Sequence, residues 1–93
     1  RILPKKKTIE AGGKKIGIIH GYGSPDGLEE RIRSEFGDVD AILYGHSHIP
    51  RNEVIKGILF FNPGSPTDKK YAPYNSFGMV WINDRIKGEI IRV

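Results

Sequence analysis

Asp40-Ala41-Ile42-Leu43-Tyr44-Gly45-His46-Ser47-His48 is an apolar run that stops at a glycine and passes into a pair of histidines. Such a run reads as a short buried strand, and the glycine as the loop that ends it. Lys15-Ile16-Gly17-Ile18-Ile19-His20-Gly21 has the same form. The chain holds three histidines, and each follows one of these strands. In an open α/β sheet, ligands gather outside the carboxyl ends of strands. The three histidines are therefore expected at one edge of one sheet.

The residues between the two strands fit a helix. Leu28, Ile32 and Phe36 fall at i, i+4 and i+8, one apolar stripe. The spacing predicts a helix over 28–36, capped by Asp26, with Glu29 and Glu30 in its first turn and Gly37 closing it. Strand, helix and strand form a βαβ unit with parallel pairing. Upstream, 8–10 and 14–20 flank Ala11-Gly12-Gly13, a hairpin signal because glycine tolerates positive φ. Downstream, 52–55, 58–61, 76–83 and 86–93 read as strands joined into antiparallel hairpins at Gly57 and at Asp84-Arg85. Residues 67–75 read as a polar loop, with Tyr71 and Tyr74 packed over an adjoining site.

At 93 residues the chain suits one small domain with a modest core. Its 38% apolar and 28% charged content is that of a globular protein. It has no cysteine, which excludes disulfides and thiolate metal sites and fits a reducing, cytoplasmic setting. No apolar stretch approaches the ~18 residues of a membrane span. The net charge of +4 gathers in Lys5-Lys6-Lys7, Lys14-Lys15 and Lys69-Lys70. These clusters read as solvated turns and edge-strand protection, or as attraction for anionic substrates. No aromatic residue interleaves them, so nucleic acid is not expected as a partner except as substrate.

Residues i and i+2 of an extended segment point to the same side. His46 and His48 could thus face one ion, or two ions ~4 Å apart. Gly45 leaves room for them. Imidazole suits manganese, zinc, iron and nickel.

The strand ending His20-Gly21, the helix, Tyr44-Gly45-His46-Ser47-His48 and then Phe61-Asn62-Pro63-Gly64-Ser65 together resemble the calcineurin-like metallophosphoesterase superfamily. The closer resemblance is to its small phosphodiesterase branch, which also contains the retromer scaffold subunit. The resemblance implies a two-sheet α/β/β/α sandwich, of which this chain would be the C-terminal half, a mixed sheet with one main helix. It implies a metal-dependent phosphodiesterase with two divalent ions, manganese foremost, that hydrolyses phosphate diesters. His20 and His46 would bind one ion and His48 the other. Asn62, Gly64 and Ser65 would wall the substrate pocket. The aspartate-x-histidine, glycine-aspartate and glycine-asparagine motifs of the superfamily are not in this sequence. The chain opens at Arg1 rather than methionine, which suggests processing or truncation. Residues 1–93 would then be the C-terminal portion of one domain, supplying the histidine half of the site and inactive alone. A non-catalytic protein-binding scaffold of the same fold is the alternative, and self-association is a further expectation.

Overall fold

A computed structural model describes residues 6–20, 26–45, 49–65 and 73–93. In chain order the elements are β1 (Lys6–Ala11), β2 (Lys14–Ile19), α1 (Leu28–Arg33), β3 (Ala41–Tyr44), β4 (Arg51–Ile55), β5 (Ile58–Asn62), β6 (Ser76–Ile82) and β7 (Ile86–Arg92). The first five strands form a mixed sheet in the order β1-β2-β3-β5-β4, and β6 and β7 pair as a second sheet. β2, β3 and β5 are mutually parallel, so their carboxyl ends share one edge. β1 and β4 run antiparallel on the two outsides. The β1–β2 turn is made by Gly12 and Gly13, with φ of 57° and 78°, a conformation costly for any residue bearing a Cβ.

Alternation along the strands gives the first sheet two buried faces. Ile19, Ile42, Tyr44 and Phe60 pack against Leu28, Ile32 and Phe36. Gly17 makes room for this contact: a Cβ there would lie 2.8–3.0 Å from the Phe36 ring. On the opposite face Ile16, Ala41, Leu59 and Phe61 meet Val80, Ile82, Ile86 and Ile90 of the second sheet. The layers are therefore helix, mixed sheet, second sheet. The Asp40 backbone and carboxylate exchange hydrogen bonds with Lys15, and its carbonyl accepts from Leu59 N–H, which sets the starts of β2, β3 and β5 level.

Three helix expectations are corrected. The helix is shorter, ending at a Ser34 cap, because the Ser34 hydroxyl donates to the Arg31 carbonyl and competes with the helical ladder. Phe36 still reaches the core, since i→i+3 bonds from Glu35 and Phe36 carry the chain around. Gly37 is not the cap; it and Phe36 offer their carbonyls to Arg33 instead. At the other end Gly27, left-handed at φ 71°, is the N-cap residue rather than Asp26, and no side chain caps there. The Asp26 carbonyl accepts from Arg31.

Candidate active site

The three parallel strands deliver His20, Gly45 and Asn62 to one edge. Gly45 N–H donates to the His20 carbonyl (3.0 Å). A Cβ on Gly45 would stand 3.8 Å from His20 Nδ1. His20 is exposed, and it opens onto an apolar hollow of about 500 Å³ between the two sheets, with Ile18, Leu43, Phe61, Pro63 and Val80 in its wall.

Asn62 holds the neighbouring strand end. It is fully buried; its amide donates to the Gly45 carbonyl (3.3 Å), and its side-chain oxygen accepts from Gly64 N–H (2.9 Å). Ser76 continues the stitching: its hydroxyl donates to the Pro63 carbonyl (2.8 Å) and its N–H to the Ser65 carbonyl (3.0 Å). Gly64 takes φ 79° and leaves Pro50 room, since a Cβ would come within 2.8 Å of Pro50 Cγ. Asn62, Gly64 and Ser65 thus form a structural clasp at this edge, and a share in the substrate wall stays a proposal for them.

On the helix side of β3 lies a group that the sequence did not single out. The Tyr44 hydroxyl donates to Glu29, and Arg51 meets the same carboxylate in bidentate fashion, at 2.9 and 3.2 Å. Burial, then the Glu29 carboxylate, hold the Tyr44 hydroxyl well above the usual phenol range. The hydrogen bond from Arg51 to Glu29 raises the guanidinium in turn. No local pattern links positions 29, 44 and 51, so periodicity could not have found this group.

His46 and His48 lie outside the described residues, as does Tyr71. Tyr74 packs under Arg92, 4.4 Å from guanidinium carbon to ring centre. Among the described residues no three histidine, aspartate or glutamate side chains come together as a metal shell. The donor chemistry that is described fits a divalent ion only in part, with the His20 imidazole at a strand end as one nitrogen donor.

The family model of the calcineurin-like phosphoesterase superfamily domain matches residues 1–85. The chain belongs to that superfamily. It is 34% identical over 94 residues to a probable metallophosphoesterase of Methanocaldococcus jannaschii, covering 98% of this chain and 48% of that protein. Among solved structures it resembles an archaeal phosphodiesterase (TM-score 0.71, 25% identity, 95% of this chain and 50% of that one). It also resembles Entamoeba histolytica Vps29 complexed with zinc (TM-score 0.65, 29% identity, 95% of this chain and 60% of that one). The chain spans about half the length of the curated relatives it matches. Mixed α/β architecture, with a mixed sheet and one short helix among the described residues, agrees with these neighbours.

Proposed function

We propose that this chain supplies the histidine half of a dinuclear metal centre in a phosphodiesterase. The observation that carries the reading is the convergence of the parallel strand ends, where Gly45 N–H is bonded to the His20 carbonyl. This bond ties the segment bearing His46 and His48 to the strand bearing His20. In the proposed site His20 and His46 serve one ion and His48 the other. Asn62, Gly64 and Ser65 keep the base of that segment in place and border the substrate.

Divalent ions, manganese foremost, would supply Lewis acidity to a phosphoryl group. The chain's own part is to orient imidazoles and to leave an open face for the diester. The carboxylates that such a centre needs would come from sequence outside the matched stretch. Membership in the phosphoesterase superfamily and likeness to an archaeal phosphodiesterase support this reading. A test is hydrolysis of bis(p-nitrophenyl) phosphate with manganese by the protein as its gene encodes it, beside p-nitrophenyl phosphate. The diester should be preferred, and His20→Ala should lower kcat at least tenfold, the lower range for loss of metal affinity or activity around such sites. Manganese-independent turnover, or a His20→Ala variant of full activity, would refute the reading.

A second reading is a protein-binding scaffold of the same fold, as the likeness to Vps29 suggests. It draws on the outward row Phe77, Met79 and Trp81 on β6, all exposed. Manganese binding without turnover of any phosphate ester would favour it.

A further inference from the structure

We infer that the outer face of the β6–β7 sheet pairs with the same face of a second copy of this protein across a two-fold axis. The inference is independent of the metal reading, and it commits the outward apolar row to one occupant.

Val80, Ile82, Ile86 and Ile90 point inward and pack on the first sheet. Successive residues of a strand face opposite sides. Phe77, Met79 and Trp81 of β6 therefore point outward, and all three are exposed. Paired residues of an antiparallel ladder share a face. Phe77 is in register with Ile91, Met79 with Glu89 and Trp81 with Lys87. The outer face thus carries an apolar row on β6 and, beside it on β7, a lysine and a glutamate that are both exposed. Near the β6–β7 turn lies an open hollow of about 520 Å³, with Trp81, Asn83, Asp84 and Arg85 in its wall.

An isologous contact needs a surface that is complementary to itself. This face meets that need in charge and in shape. A two-fold axis lying across the strands at the Val80–Gly88 pair sets β6 on β6 and β7 on β7 of the second copy, each reversed. Lys87 then meets Glu89 of the second copy, and Glu89 meets Lys87 of the second copy. One residue of each sign so forms two opposite-charge pairs. Trp81 and Met79 exchange places across the axis, and Phe77 reaches the hollow beside Asn83 of the second copy. Packed sheets keep their strand directions within about 30°, which suits this arrangement. Because Lys87 and Glu89 offset each other, the face presents no field of one sign to a polyanion. It is small beside the ~800 Å² per partner of a stable complex, so dissociation belongs in the micromolar range.

The test is sedimentation equilibrium on the protein as its gene encodes it, from about 1 to 100 μM, the span of a weak interface. A reversible monomer–dimer equilibrium should appear. Lys87→Glu and Glu89→Lys should each weaken it about tenfold, because like charges then face each other. An equimolar mixture of these two variants should dimerise as the unsubstituted protein does, since every charged contact across the axis again joins a glutamate to a lysine. Met79→Arg should leave a monomer. Lys56→Glu makes the same charge change in the β4–β5 turn and should have no effect. Should Met79→Arg fail to fold, the mixed charge variants decide. An unsubstituted protein that stays monomeric through this range would overturn the inference. So would a folded Met79→Arg variant that still dimerises, or a mixture that associates no better than either charge variant alone.

Discussion

Asn62 connects two strand ends with a single buried amide. Replacing it by alanine removes the acceptor of Gly64 N–H and the donor to the Gly45 carbonyl. Leaving a buried backbone group without its partner costs about 1–3 kcal/mol. Asn62→Ala should lose that much in urea unfolding, and Asn62→Asp should not restore it. An aspartate keeps the acceptor but sets a carboxylate against the Gly45 carbonyl. Gly64 is the second sensitive residue. At φ 79°, with Pro50 Cγ 2.8 Å from a built Cβ, alanine there meets both backbone strain and a clash. Left-handed strain alone is about 1–3 kcal/mol. Gly64→Ala should therefore unfold at lower urea than Gly13→Ala, where a Cβ would meet nothing within 4 Å and only the φ of 78° is adverse.

At the scale of elements, the second sheet is keyed to the first by one ring. Phe61 of β5 is buried, and Cβ atoms built on Gly78 of β6 and Gly88 of β7 would come within 2.5–2.6 Å of it. The glycines leave a notch, and Phe61 fills it. Asn52 adds a polar pin, donating to the Gly88 carbonyl at 2.8 Å. A methyl in that notch must push the ring or part the sheets, and overpacking costs about 1–3 kcal/mol. Gly88→Ala should show that loss in thermal unfolding. Combining it with Phe61→Leu should cost less than the sum of the single changes, because the smaller side chain vacates the space. Strict additivity would mean that the two residues do not share the notch.

For the whole molecule, what matters is the outer face of the two-stranded sheet. Its inner face is packed, while Phe77, Met79 and Trp81 stand outward at 42–45% exposure. Ile18, at 37%, borders the apolar hollow beside His20. Contiguous exposed apolar surface promotes association. The 93-residue chain by itself should self-associate, with a sedimentation coefficient that rises with concentration. By itself it should also bind manganese weakly, since three imidazoles lack the anionic groups that bridge two dications. Two tight manganese sites on the isolated chain, or a concentration-independent monomer, would contradict these expectations.

By itself the sequence determined the local elements. The apolar runs at 16–19 and 41–44, the Gly12-Gly13 hairpin, the Leu28, Ile32, Phe36 stripe and the parallel β2–β3 pair are all carried by patterns within a few residues. It also placed His20 at a strand end, because that position follows from where an apolar run stops. The helix ends differ from the pattern, since a Ser34 hydroxyl and an arginine reaching carbonyls decide them, and periodicity is blind to both. Tertiary structure alone decided that β5 rather than β4 lies beside β3, which puts Asn62 against Gly45. It alone brought Glu29, Tyr44 and Arg51 together and closed Gly78 and Gly88 around Phe61. A hairpin has two strands that could pair with a neighbour, and local pattern does not choose between them. The choice is made by packing: β5 is the strand whose both faces are buried, and only the assembled layers offer two faces to bury.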